Sequence, residues 1–305
     1  MAEADAAGAT RCGFVAILGA PNVGKSTLIN QLVGTKVSIV SPKVQTTRRR
    51  IIGITISERS QIVFVDTPGI FSPNKRLDRA MVQEALQSAN DSDVVLLVVD
   101  ARRGLDQRSA HVLDALKGLR TRMFLALNKI DLVRPVDLLP LATDLNERVS
   151  FDETFMISAL TGDGCSQIIS KLTSLMPESP WLYPEDQLSD LSNRSLAAEI
   201  TREHLFRQLE EELPYSLTVE TDQWTESADG KEVRIDQTIY VRRPTQKAIV
   251  LGKQGQRIKA VGSAARGELE DLLGLRVHLF LFVKVRENWL NDPERFREMG
   301  LDFPG

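Results

Sequence analysis

The stretch Gly19-Ala20-Pro21-Asn22-Val23-Gly24-Lys25-Ser26, followed by Thr27, has the G-x-x-x-x-G-K-[ST] spacing of a phosphate-binding loop. Glycines at 19 and 24 let the backbone wrap closely and turn its N–H groups toward phosphate oxygens. Lys25 has the reach to meet β and γ phosphates, and the Ser26 hydroxyl suits Mg²⁺. An apolar run precedes the loop and a helical pattern follows it, so a helix N-terminus adds its partial positive charge.

Asp66-Thr67-Pro68-Gly69-Ile70 ends a second apolar run. Asp66 can hold a water on the same Mg²⁺, and Gly69 leaves a backbone N–H for a γ-phosphate. Many nucleotide switches place a water-orienting glutamine at the next position, but Ile70 has no polar atom and no arginine can be assigned as a finger. Asn128-Lys129-Ile130-Asp131 ends a further strand. The Asp131 carboxylate accepts both N1–H and N2–H of guanine, a donor pair that adenine lacks. Asn128 ties the loop together and reaches N7, and the Lys129 stem lies over the base. Ser158-Ala159-Leu160 then offers the Ala159 N–H to O6. Each signal stands where a strand ends, which is where open α/β sheets bind ligands. Together they point to a GTPase over an ATPase, with GTP and water giving GDP and phosphate by in-line attack.

The elements that must position these residues are legible as alternation. Apolar strands are expected at 14–18, 49–57, 61–66, 94–100, 123–128 and 154–158, with helical stretches at 26–33, 75–90, 106–118, 137–149 and 166–175. Leu77, Met81 and Ala85 mark one helical face. The close pair 49–57 and 61–66 reads as a hairpin, giving one antiparallel edge to a mostly parallel, doubly wound α/β domain. Residues 176–193 carry Pro177, Pro180 and Pro184 and read as a linker ordered in part by Trp181 and Tyr183.

A second pattern starts at Arg194: a helix to about Glu212, strands at 216–225 and 232–242, helical segments interrupted by Gly252-Lys253-Gln254-Gly255, and a strand at 276–286. In the strand at 232–242, Val233, Ile235, Ile239 and Val241 share one face. The order α-β-β-α-α-β matches an α+β type II KH domain, whose GxxG loop clamps single-stranded nucleic acid. Residues 245–288 hold eight Lys/Arg against four Asp/Glu, a local +4 in a chain of net charge -3. Lys247, Lys253, Arg257 and Lys259 belong to this basic segment, and Lys253 is placed to meet a phosphate. Ile249, Val250 and Ile258 line an apolar groove or belong to the core; both readings fit the pattern.

The composition sets further bounds. A chain of 305 residues with 42% hydrophobic content suits two globular domains. Its two cysteines, Cys12 and Cys165, read as reduced cytosolic thiols, with neither beside a histidine or in a CxxC pair. No apolar run is long enough to span a bilayer. The first ten residues lack a basic or apolar leader region and read as a tail.

A GTPase domain followed by a KH domain resembles the bacterial Era family. The resemblance runs from about Gly13 to Leu290 and rests on GAPNVGKSTLINQLVG, QTTR at 45–48, DTPGI, NKID, SAL and LGKQGQRIKAVG. It implies a tail at 1–12, a Ras-like GTPase domain at 13–176, a linker at 177–193 and a KH domain with its C-terminal tail at 194–305. It implies GTP and GDP as ligands, with Mg²⁺ held by Ser26, Thr47 and, through water, Asp66. Thr47 is the first-switch threonine, with Thr46 as the alternative. It further implies a monomer that binds single-stranded RNA near the 3′ end of 16S ribosomal RNA through residues including Ile249. Such a protein acts in 16S processing and 30S subunit assembly, in the cytoplasm with a fraction peripheral at the inner face of the membrane. In related GTPases the residue equivalent to Asn22 helps hold K⁺ beside the phosphates, so Asn22, Lys25 and Thr47 are the expected catalytic set. Relatives often carry histidine after DTPGI where this chain has Phe71. That departure counts against histidine-assisted water positioning, and Ile70 leaves as the alternative an RNA-binding assembly factor regulated by nucleotide, with little hydrolysis of its own.

Overall fold

The computed structural model describes residues 9–41, 43, 47, 50–71, 76–210 and 213–287. They fall into two compact units, one taking in the chain up to Ser38 with Thr47–Asp190, the other Ile39–Thr46 with the chain from Leu191.

The first unit alternates strand and helix: β1 (Arg11–Leu18), α1 (Lys25–Val33), β2 (Ile51–Ser57), β3 (Ser60–Asp66), α2 (Arg76–Asn90), β4 (Val94–Asp100), α3 (Gln107–Leu116), β5 (Arg122–Asn128), α4 (Pro135–Arg148), β6 (Glu153–Ile157) and α5 (Cys165–Leu175). The sheet order is β2-β3-β1-β4-β5-β6. All neighbours are parallel except β2 and β3. That hairpin closes from Ser57 to Ser60 through Glu58 at φ 54°, the left-handed geometry a two-residue turn needs. Every residue of β3 and β4 is buried, as strands in a sheet covered on both faces are. Met81 and Ala85 of α2 are buried as their spacing suggests; the side chain of Leu77 lies outside the described residues.

Residues 178–190, read from sequence as linker, lie along this sheet. Arg11 bridges to Glu178 and Gly53 to Ser189. The Ile54 N–H donates to the Leu188 carbonyl at 2.9 Å. Gln61, fully buried in β3, accepts from the N–H groups of Leu182 (2.9 Å) and Tyr183 (3.0 Å), and its amide donates to the Tyr183 carbonyl at 2.8 Å. One side-chain amide thus satisfies backbone groups that a proline-rich strap cannot pair by itself. Trp181 and Tyr183 pack on Cys12, Ile52, Ile54 and Val63.

The second unit contains α6 (Asn193–Gln208), β7 (Leu217–Glu226), β8 (Glu232–Val241), α7 (Pro244–Leu251), α8 (Gln256–Leu273) and β9 (Arg276–Val285). β8 is central, antiparallel to β7 and parallel to β9. Val233, Ile235, Ile239 and Val241 are fully buried. Helix α6 stops earlier than expected, at Gln208, and residues 211–212 lie outside the described set.

Candidate functional site

The C-terminal ends of β1, β3, β4 and β5 carry Gly19, Asp66, Asp100 and Asn128 to one edge of the sheet. Gly24 starts α1 at φ 102°, and a Cβ there would stand 2.3 Å from Asn128 Nδ2, so glycine is required on both counts. Lys25 is buried, and its ammonium donates to the carbonyls of Gly19 and Ala20, each at 3.1 Å. Desolvation lowers its pKa to about 8, against the opposing pull of the Asp66 charge.

Asp66 is the hub of a hydroxyl cluster. Its Oδ2 accepts from Ser38 Oγ (2.8 Å), Ser26 Oγ (2.9 Å) and Thr47 Oγ1 (3.3 Å), while the Ser26 and Thr47 hydroxyls stand 3.0 Å apart. Its other oxygen, Oδ1, is buried with no hydrogen-bond partner. Burial raises the carboxyl pKa, with Lys25 and the three hydroxyls pulling it back. Hard oxygens converging on a carboxylate with one bare oxygen fit Mg²⁺ with its waters. Thr47 is 5% exposed and joins the cluster; Thr46, Gln45 and Arg48 of QTTR lie outside the described residues.

Ser38 was not singled out by the sequence. It is held by Asn30 of α1, whose Oδ1 accepts from the N–H groups of Val37 and Ser38 (both 2.9 Å) and whose amide donates to the Ser38 carbonyl at 2.7 Å. The available signal was an asparagine one turn beyond Ser26, on the same helix face.

Within DTPGI, two residues make contacts inside the protein. The Thr67 hydroxyl donates to the Ile17 carbonyl at 2.9 Å, tying the loop to β1. Ile70 is 1% exposed in the core, and its N–H donates to the Gly19 carbonyl at 3.1 Å. An apolar side chain at 70 serves packing because the core lies directly beneath that turn. Gly69 lies against Pro21, where a Cβ would meet the Pro21 backbone nitrogen at 3.0 Å.

At the base loop, Asn128 Oδ1 accepts from the N–H groups of Lys129 (2.8 Å) and Ala159 (2.9 Å), and Nδ2 donates to the Val23 carbonyl at 2.8 Å. The Ala159 N–H, expected to serve guanine O6, is therefore directed to Asn128. Ser158 is fully buried, and its carbonyl accepts from the Gly162 N–H; Leu160 is strongly exposed. Lys129, at φ 69°, donates from Nζ to the Asn22 carbonyl (2.8 Å) and to Asp100 Oδ2 (2.7 Å). Asp131 lies within a short 3-10 turn, Ile130–Leu132, with an exposed side chain. Asp100 was visible in the sequence only as the last residue of a strand.

In the second unit, Gly252 (φ 73°), Gln254 (φ 51°) and Gly255 (φ 75°) carry the chain from α7 into α8. A Cβ on Gly252 would meet Arg257 Cβ at 2.7 Å. Lys253, Gln254 and Lys259 are exposed, and Lys247 is half-buried. Ile249 is 48% exposed and Val250 is core, while Ile258 packs partly buried against that core. The Arg257 Nη1 donates to the Ile249 carbonyl at 2.6 Å, capping α7.

Comparison with known proteins bears on both units. Residues 14–129 match the 50S ribosome-binding GTPase family, and residues 212–290 match the KH domain family. GTPase Era of Brucella suis biovar 1 is 59% identical over 295 residues, covering 97% of this chain and 94% of that protein. GTPase Era of Sinorhizobium medicae is 59% identical over 301 residues, covering 99% and 97%. Among solved structures, Era in complex with MgGDPNP and nucleotides 1506–1542 of 16S ribosomal RNA superposes with a TM-score of 0.90 at 41% identity, covering 95% of this chain and 99% of that one. A point variant of Aquifex aeolicus Era bound to GDP and AlF4⁻ gives 0.90 at 40% identity with the same coverage.

Proposed function

The chain belongs to the Era family of GTPases, and on that premise we propose that it is a Mg²⁺-dependent GTP hydrolase that binds single-stranded RNA at the 3′ end of 16S ribosomal RNA during 30S subunit assembly. One observation carries the nucleotide half. Asp66 collects the hydroxyls of Ser26, Ser38 and Thr47 on one oxygen and keeps the other bare, beneath a loop with the G-x-x-x-x-G-K-[ST] spacing. In this reading Ser26 and Thr47 hold the ion and Asp66 holds one of its waters; the ion, when bound, neutralises charge building on the phosphates. Gly19, Ala20, Pro21, Asn22, Val23, Gly24, Lys25 and Thr27 wrap the phosphates, with Thr67, Pro68 and Gly69 closing over the γ-phosphate. Asn128, Lys129 and Asp131 select guanine, and Ser158, Ala159 and Leu160 complete the base site. Asn22 recruits K⁺ as a positive charge beside the phosphates.

The RNA half rests on the related Era bound to nucleotides 1506–1542 of 16S ribosomal RNA. It also rests on the exposed Lys253 and Gln254 between two positive-φ glycines at the head of α8. We place Lys247, Ile249, Gly252, Lys253, Gln254, Gly255, Arg257 and Lys259 on that RNA, with Arg257 acting through α7. The functional boundaries are a tail at 1–12, the GTPase domain at 13–176, a strap at 177–193 and the RNA domain from 194. The protein works as a monomer in the cytoplasm, with a fraction peripheral at the inner face of the membrane. Among the described residues, no helix is long and apolar enough to cross one.

A photo-crosslinker at Gln254 in living cells, followed by sequencing of the attached RNA, tests the partner. Recovery of the 3′ end of 16S ribosomal RNA is expected; crosslinks without enrichment there would overturn the assignment. Burial of Ile70 at 1% exposure favours one alternative, a nucleotide-regulated RNA-binding factor that hydrolyses slowly. Single-turnover GTP cleavage with and without RNA or 30S subunits separates the two, since turnover unmoved by either partner supports the alternative.

A further inference from the structure

Asp100 ends β4 with 1% of its surface exposed, a buried charge to which the hydrolysis scheme gives no task. Its Oδ1 accepts from the Arg102 N–H at 3.1 Å, and its carbonyl accepts from the N–H groups of Arg103 (3.0 Å) and Gly104 (3.1 Å). The carboxylate is therefore fixed by its own turn. Its Oδ2 faces the Lys129 ammonium at 2.7 Å; the Arg103 guanidinium stands farther off, at 3.9 Å. A buried carboxylate of this kind holds its partner strongly, because leaving it unpaired is costly.

Lys129 passes that constraint onward. Its ammonium also takes the Asn22 carbonyl, and the next carbonyl, that of Val23, takes the Asn128 amide. In a trans peptide the C=O and N–H groups point to opposite sides. Drawing the carbonyls of Asn22 and Val23 toward the base loop thus turns the N–H groups of Val23 and Gly24 away from it, into the hollow of the phosphate loop. Asn22 and Lys129 both adopt positive φ (65° and 69°); asparagine tolerates that region, whereas a lysine there needs outside support.

We propose that Asp100 is a positioning residue for nucleotide binding. It holds Lys129 on the Asn22 carbonyl and so sets the direction of the phosphate-loop N–H groups. The inference rests on the guanine-nucleotide reading of this site. The alternative is that Asp100 merely closes the turn after β4.

A double-mutant cycle on the full chain separates these roles: wild type, Asp100→Asn, Lys129→Met and the pair, read as GDP affinity and as thermal unfolding without nucleotide. Each single change is expected to weaken GDP about tenfold, the loss of one charge-assisted hydrogen bond. The pair is expected to be no worse than the weaker single, and Asp100→Asn should still melt cooperatively. Multiplicative losses, or undiminished affinity in Asp100→Asn, would overturn the proposal. Should Asp100→Asn fail to fold, Asp100→Glu keeps the charge; its affinity should lie between wild type and Lys129→Met and be coupled to Lys129, and an uncoupled loss overturns the proposal as well. Asp131→Ala in the same assay tests the underlying reading. Undiminished GDP binding there removes the guanine site itself, whereas weakened binding alongside additive singles removes only the role of Asp100.

Discussion

Asn128 reaches from the end of β5 to the phosphate loop, its side-chain amide 2.8 Å from the Val23 carbonyl, through space that only a glycine at 24 leaves open. Two substitutions follow from this one contact. Gly24→Ala would place a methyl 2.3 Å from Asn128 Nδ2, on a backbone at φ 102°. It should abolish measurable GDP binding while leaving the fold intact by circular dichroism. Asn128→Ala strips partners from the Val23 carbonyl and the N–H groups of Lys129 and Ala159. At about 1–3 kcal/mol for each buried group left unpaired, it should lower the melting temperature by several degrees as well as weaken GDP. A melt equal to wild type would mean that the base loop does not depend on this residue.

Asp131→Asn exchanges an acceptor for a donor at an exposed carboxylate. Guanine offers N1–H and N2–H to that position, whereas xanthine presents a carbonyl at C2. Competition against labelled GDP should therefore show GTP weakened about a hundredfold or more and xanthosine triphosphate strengthened, because a polar mismatch in a built site is rejected strongly. Retained GTP preference would sink the assignment of NKID to base selection.

Ser38→Ala removes one of three hydroxyls on Asp66 Oδ2 and leaves the loop clamp by Asn30 in place. Asp66 should then orient less well toward the ion. The Mg²⁺ concentration that halves the rate of GDP release should rise several-fold, with GDP affinity in chelator unchanged. Ser38→Thr should restore most of the loss. An unchanged Mg²⁺ midpoint for Ser38→Ala would confine Ser38 to packing.

Much of this site was readable because backbone-directed chemistry leaves short, ordered signatures. Asp66 and Asn128 each end a strand and Lys25 opens the helix after β1, and apolar runs such as Val94–Val99 announce strand ends. The residues that escaped notice act on other side chains or on main chain far away in sequence. Ser38 meets Asp66 across 28 positions, Asp100 meets Lys129 across 29, and Gln61 holds Tyr183 across 122. No periodicity encodes such pairs; only the β4–β5 register, which sets Asp100 beside Asn128, brings the second pair together. The strap at 178–190 was legible as proline-rich, but its docking uses contacts that no pattern announces, among them the buried Gln61 side chain on Leu182 and Tyr183. In the second unit, alternation in β8 gave the buried face correctly, while the turn of Arg257 back to Ile249 had no counterpart in the sequence.

Asn22 stands at φ 65° in the phosphate loop, with its carbonyl on Lys129. If it recruits K⁺ in place of an arginine, GTP turnover in KCl should exceed that in NaCl by about tenfold or more, comparable to adding one positive charge at the developing transition state. Asn22→Ala should bring the two salts level with little change in GDP affinity. Equal rates in both salts for the wild type, unmoved by Asn22→Ala, would remove the ion from the mechanism.

Cys165 opens α5, where a helix N-terminus ordinarily favours a thiolate. Burial outweighs that here: the side chain is 5% exposed, and desolvation, helped by the nearby Asp163 charge, raises its pKa from 9.0 to about 11. Burial also pushes the Cys12 thiol upward. Both cysteines are free. At pH 8 a pKa near 11 leaves about one thiol in a thousand ionised, so native protein should react with a thiol reagent far more slowly than unfolded protein. The stability consequence has a definite sign. Below pH 9 both folded and unfolded states hold the proton; between pH 9 and about 11 the unfolded chain gives up its proton while the native one keeps it. Cys165 therefore contributes stability that is complete below pH 9 and falls by about 2 kcal/mol as pH rises to 11. Cys165→Ala should flatten that decline in denaturant melts taken across the window. Rapid labelling of Cys165 at pH 8 in the folded protein, or an unaltered alkaline decline in Cys165→Ala, would show that the helix terminus prevails over burial.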